Sequence, residues 1–119
     1  MKTIKILGIL GFLVFSFSLY AAKYDKKVDP SELYDKATNH LKNEEYRKAL
    51  RVLGKYTKSK PKDVDGWTLY AFTQRKLKNY KKAEVNYEKA LKLDPENKIA
   101  SEYQGELFVE AERLGLAQT

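Results

Sequence analysis

Past the first 22 residues, apolar positions recur with helical spacing, and no stretch shows the two-residue alternation of a strand. The pattern predicts an all-α chain. Asp29-Pro30-Ser31-Glu32 starts the first helix: Asp29 is the cap, Pro30 suits the first helical position, and Glu32 completes a capping-box-like pattern. Predicted helices cover 30–43, 45–58, 64–77, 79–93 and 98–113. A tight turn is expected near Glu44. The breaks fall at Ser59-Lys60-Pro61-Lys62, where Pro61 stops continuation, and at Asp94-Pro95-Glu96-Asn97. Asp63 and Asn97 are the caps expected after those breaks.

The same residues return at a fixed interval. Tyr46, Ala49 and Pro61 recur 34 residues later as Tyr80, Ala83 and Pro95, and Ala37 and Lys42 as Ala71 and Lys76. A period of this length marks a helical solenoid, because one helix hairpin cannot bury its own apolar face and must stack on a neighbour. The expected architecture is an antiparallel helix-hairpin solenoid over 30–119. It divides into one repeat at 30–63, a second at 64–97, and a capping helix or truncated third repeat at 98–119. Gly105, Leu114 and Ala117 lie 34 residues beyond Ala71, Tyr80 and Ala83, so a sixth helix would begin near position 114. In the truncated reading Tyr103, Leu107 and Phe108 lack part of their cover. In the capping reading Glu102, Glu106, Glu110 and Glu112 form a polar outer face.

The first 22 residues follow a different pattern. Lys2 and Lys5 precede 17 uncharged residues, Ile6 to Ala22, with small residues Ala21 and Ala22 at the end. This is the layout of a secretory signal peptide. Leu19 and Tyr20 are large for the positions before a cleavage point, so retention as a membrane anchor is the alternative. Seventeen helical residues span roughly 25 Å, at the short edge of what crosses a bilayer core. Either outcome places the remainder outside the cytoplasm: periplasmic, or anchored in the inner membrane and facing the periplasm. Residues 23–29 read as a linker.

Charge and chemistry narrow the function. The chain has 119 residues and a formal charge of +7; setting aside Lys2 and Lys5 leaves 21 basic and 16 acidic side chains, or +5. Net charge of this size speaks to solubility and non-specific association. The basic runs 55–62 and 75–82 span different turns and are expected on opposite edges of the solenoid, so nucleic acid is not expected as a partner. With no Cys and one His, neither a His-based zinc site nor a Cys–His pair can be built. The six Gly residues are scattered and form no phosphate loop. No enzyme, cofactor, metal or small-molecule substrate is expected.

Residues Trp67, Tyr70, Ala71, Tyr80, Ala83, Tyr87, Ala90 and Pro95 resemble the tetratricopeptide repeat, whose large, small, aromatic and proline positions they match at fixed offsets. Leu33, Ala37, Tyr46, Ala49, Leu53 and Pro61 match it more weakly in the first repeat. There Lys36 replaces a large apolar residue, His40 replaces an aromatic and reads as a half-buried filler, and Tyr56 stands where a small residue is usual. A Tyr at that point either separates its helices or marks a solvent-facing edge. The resemblance implies a protein-binding groove lined by the first helix of each repeat. Carried onto this chain, the groove positions are Ser31, Tyr34, Thr38 and Leu41, then Asp65, Thr68, Phe72 and Arg75, then Ile99, Glu102, Glu106 and Val109.

Of these, Tyr34, Thr38, Leu41, Thr68, Phe72, Arg75, Glu102 and Glu106 form the candidate peptide-binding site, with Phe72 and Tyr34 as apolar anchors. The Lys, Asn and Arg cluster with which one family variant grips a C-terminal carboxylate is absent; the matching positions are Tyr34, Thr38, Leu69, Ile99 and Tyr103. The acidic stripe of Glu102, Glu106 and Glu110 either selects a positively charged ligand or pairs with Arg75 and Lys76. The expected function is that of an exported adaptor or assembly factor binding another protein. Self-assembly through the incomplete third repeat, and attachment of a basic surface to anionic lipid or nucleic acid, are the alternatives.

Overall fold

The computed structural model describes residues 27–115. Five helices follow one another: α1 (Pro30–Lys42), α2 (Tyr46–Ser59), α3 (Val64–Lys76), α4 (Tyr80–Leu93) and α5 (Lys98–Arg113). Among the described residues there is no strand. Each helix packs on the next, and α3 also packs on α5, so the chain forms a solenoid of two antiparallel hairpins closed by a single helix. The expected leader at 1–22 lies outside the described residues, as do 116–119. Among the described residues no helix is long and apolar enough to cross a membrane.

The starts of α1, α3 and α5 are fixed by the expected caps. Asp29 accepts the Ser31 N–H at 3.0 Å, Asp63 that of Asp65 at 3.1 Å, and Asn97 that of Ala100 at 2.9 Å. Among the described residues no return bond from Glu32 forms, and Asp29 caps alone. Within each hairpin the turn is a Schellman motif. The Glu44 N–H reaches the Leu41 carbonyl and the Glu45 N–H the His40 carbonyl; Lys78 and Asn79 do the same to Arg75 and Gln74. Glu44 and Lys78 adopt φ of 56° and 64° at the position glycine usually takes. Thirty-four residues after Lys78 no such turn occurs: Glu112 is still helical, and the positive φ falls at Gly115.

The interior divides into two clusters, one per hairpin. In the first, Ala37, Ala49 and Leu53 are fully buried, and Leu69 and Tyr70 of α3 pack over them. In the second, Ala71, Ala83 and Tyr87 are covered by Leu107 and Tyr103 of α5. The small residues let the two helices of a hairpin approach, and the open side of each core is then shut by the following helix. Leu107 is 1% exposed and Tyr103 half-buried, whereas Phe108 on the outer side of α5 is 45% exposed. A side chain built at Gly105, the third member of the Ala37–Ala71 series, would meet nothing within 4 Å.

The Tyr56 reading is corrected by the structure. Tyr56 is buried, not at a solvent-facing edge, and Gly66 supplies its space. A Cβ at position 66 would lie 2.6 Å from Tyr56 Cε1 and 2.8 Å from Cδ1. The Tyr56 ring leans on Tyr34, with centroids 5.3 Å apart, and its hydroxyl donates to the carboxylate of the cap Asp63. Thirty-four residues on, the corresponding pair is Ala90 and Ala100, both fully buried. One junction between repeats is therefore filled by a large residue against none, the other by two small ones. His40 is half-buried, with Nδ1 3.2 Å from Glu45 Oε1, as a filler would be.

The sign of one substitution should depend on its partner. Gly66→Ala in the natural chain is expected to destabilise by about 1–2 kcal/mol, because overpacking outweighs the gain in helix propensity. With Tyr56→Ala already present, the same substitution should stabilise. Chemical denaturation of the two single variants and the double variant measures this. Equal effects of Gly66→Ala in both backgrounds would show that the two residues do not share the space.

Candidate functional site

The odd-numbered helices share one face, and the candidate residues lie along it in unequal states. Tyr34, Thr38 and Leu41 of α1 and Phe72 of α3 are half-buried, Thr68 and Arg75 are buried, and Glu102 and Glu106 of α5 are exposed. Thr68 turns its hydroxyl back to the Val64 carbonyl at 2.8 Å and so offers a ligand little. Thr38 likewise donates to the Asp35 carbonyl at 3.0 Å. Phe72 lies between Tyr103, 5.3 Å away by ring centroid, and the cations of Arg75 and Lys76, each 5.4 Å from its centroid.

Arg75 is the hub of this face. Its Nη2 pairs with Glu106 at 2.9 Å and its Nη1 with Glu110 at 3.2 Å, while Tyr80 donates to the other Glu110 oxygen at 3.1 Å. The acidic stripe is thus partly neutralised by α3, and these pairs tie α5 to α3. Glu102 has no such partner among the described residues. Arg75, Lys76, Val109 and Arg113 border a shallow cavity of ≈ 530 Å³ beside the pairs. Ile99 and Val109, which bracket Glu102 and Glu106 on α5, are 56% and 50% exposed.

Beneath Arg75, the Tyr87 hydroxyl and Arg75 Nε are buried, and neither makes a hydrogen bond among the described residues. Burial pushes the Tyr87 phenol up to about 12, against the pull of the neighbouring Arg75 charge. Burial, with the hydrogen bond to Asp63, also raises Tyr56 well above the ordinary range.

The even-numbered helices present the opposite face, which the sequence reading did not treat as a site. Between α2 and α4 runs an open groove of ≈ 580 Å³ floored by Trp67, Tyr70 and Gln74 of α3. Lys58 of the first basic run and Lys81 and Lys82 of the second line this same groove. The expectation that the two runs lie on separate edges is therefore corrected: α2 and α4 run side by side, and their offset brings residues from different turns together. Gln74 and Asn86 are buried at the floor and bond each other, Asn86 Nδ2 donating to Gln74 Oε1 at 2.6 Å. Among the described residues, no three His, Cys, Asp or Glu side chains gather as a metal site.

Comparison with known proteins gives two family matches. Residues 16–90 match the model described as anaphase-promoting complex, cyclosome, subunit 3, and residues 73–117 match a tetratricopeptide-repeat model. No curated protein matches the chain.

The Tyr87 geometry makes a prediction in alkali. A phenol raised from roughly 10 to about 12 contributes stability that is fully present below pH 10 and is lost as the pH rises through 12. Tyr87→Phe removes a buried hydroxyl without an acceptor, so at pH 7 it should leave stability unchanged or raise it by up to about 1 kcal/mol. It should also flatten the fall in Tm between pH 10 and pH 12. Thermal unfolding followed by circular dichroism checks both; a loss of about 2 kcal/mol or more at pH 7 would show that the hydroxyl is bonded.

Proposed function

This chain belongs to the tetratricopeptide-repeat family, and from that premise we propose that it is an exported bacterial adaptor or assembly factor. Repeats of this family generally mediate protein–protein interactions and are typically non-catalytic. The ligand is a segment of another protein, extended or helical, laid across α1, α3 and α5. One observation carries the reading: Ile99 and Val109 stand exposed on either side of Glu102 and Glu106, on the face that also holds Tyr34 and Phe72. Such a surface accepts an apolar side chain next to a basic one. Arg75 acts here as a brace for the carboxylates rather than as a ligand contact, since both of its terminal nitrogens are already engaged.

The export half of the proposal rests on the leader at 1–22, with its basic start, apolar run and small terminal residues. The longer family match is named for a subunit of a multi-protein assembly, which supports an assembly role over a solitary one. Self-assembly is the second reading, favoured by exposed Phe108 and Leu114 at the α5 end of the stack. Light scattering over a range of concentrations separates the two, and a strictly monomeric species removes the second.

The test is crosslinking and capture from envelope extract with the full chain. Val109→Asp and Glu102→Lys change exposed side chains and should leave the fold intact. Each is expected to lower partner capture about tenfold, the effect of losing a well-seated contact. Tyr34→Ala and Phe72→Ala extend the test to the anchors. Undiminished capture of every partner by all four folded variants would remove this face from consideration.

A further inference from the structure

The groove between α2 and α4 has the make-up of a second binding surface, basic where the first carries both signs. Its floor is aromatic. Trp67 turns its indole N–H away to the Pro61 carbonyl at 2.8 Å, so the polar edge of the ring is satisfied and its carbon surface borders the groove. Tyr70 continues the floor, and Val85 on the α4 wall is 49% exposed beside it. Around this apolar strip stand Lys58, Lys81, Lys82 and Lys89, and no acidic residue lines the groove. Among the described residues none of these four lysines has a carboxylate within ion-pairing distance.

We propose that this groove binds an acidic segment of a polypeptide, whose carboxylates meet the lysines and whose aromatic or branched side chain lies against Tyr70 and Val85, beside the Trp67 ring that Lys89 covers. The charge pattern sets the sign of the partner, and the uncovered strip sets the need for an apolar residue within it. A nucleic-acid strand fits less well. The Lys89 ammonium already sits over the Trp67 ring, 4.6 Å from its centroid, where a base would have to stack. Lysine rims contribute more to encounter rate and selectivity than to tightness, so the binding is expected to be modest and salt-sensitive. With Glu102, which has no ion-pair partner among the described residues, on one side and this basic groove on the other, the chain can hold two partners of different chemistry at once. The groove is independent of the odd-helix face, and either surface can fail its test without the other.

Trp67 is the sole tryptophan, so its emission reports on this groove directly. The probe is a synthetic peptide of about ten residues, Asp and Glu around a central Phe, titrated into the full chain. Three counterparts accompany it: one with Ser for Phe, one with Lys for the acids, and a single-stranded oligonucleotide of equal charge. The acidic Phe peptide is expected to shift Trp67 emission saturably. Its affinity should fall about tenfold or more in Lys58→Glu/Lys82→Glu, and should hold within about twofold in Lys36→Glu/Lys98→Glu, which changes net charge equally elsewhere. The Ser and Lys peptides should bind at least about tenfold more weakly. The proposal is overturned by the absence of a saturable shift, by equal binding of the Ser or Lys peptide, by indifference to Lys58→Glu/Lys82→Glu, or by tighter binding of the oligonucleotide.

Discussion

Two helices of 13 or 14 residues leaning on one another leave one side of their shared core open, and closing that side is the constraint on which this structure depends. Isolated helices of this length are marginal in water. Ala37 against Ala49, and Ala71 against Ala83, bring the backbones of each hairpin close but bury little apolar surface. The larger contribution comes from the following helix. Leu69 and Tyr70 shut the first core, and Leu107 and Tyr103 shut the second. Fully buried Leu107 contributes about 2 kcal/mol, so the second lid is a large part of what holds its hairpin; Leu69 and Tyr70 are half-buried and contribute less each. The Arg75 pairs to Glu106 and Glu110 fasten the second lid from the outside, where solvent reduces what such pairs contribute.

The same constraint explains how much was readable in the residues themselves. Helix order, caps at Asp29, Asp63 and Asn97, and the stacking interval all follow from local chemistry repeated at 34 residues, and they appear in the structure where they were expected. The exchange of Tyr56 and Gly66 for Ala90 and Ala100 was not readable. It pairs residues across a repeat boundary, and a single glycine inside a helix carries no sign of the ring it accommodates. The groove between α2 and α4 was missed for a related reason. Lys58 and Lys81 belong to different turns, and only the lateral offset of neighbouring helices brings them together. Glu106 and Arg75 could be suspected as partners from spacing, but the burial of Arg75 over Tyr87 depends on the depth of the second core.

Conserving the interior while varying the faces is what lets a stack of this kind serve different partners. Here the two faces differ in make-up: one mixes both signs, the other is basic. The odd helices carry carboxylates flanked by Ile99 and Val109; the even helices carry lysines flanking Trp67 and Val85. Each face is held by backbone that the two cores fix, and Tyr70 belongs to both the interior and the groove. Changes on the outer faces should therefore alter partner choice at little cost in stability, whereas changes at the lids act on the whole stack.

The most direct measurement of the lid principle is equilibrium unfolding of Leu107→Ala, followed by Trp67 fluorescence and far-ultraviolet circular dichroism together. If the following helix closes each core, the variant loses about 3 kcal/mol and both signals still move in one shared transition, because the damage at α5 reaches Trp67 on α3 through the stack. A loss below about 0.5 kcal/mol, or a Trp67 transition that stays where it is in the natural chain, would show that the hairpins stand without their lids.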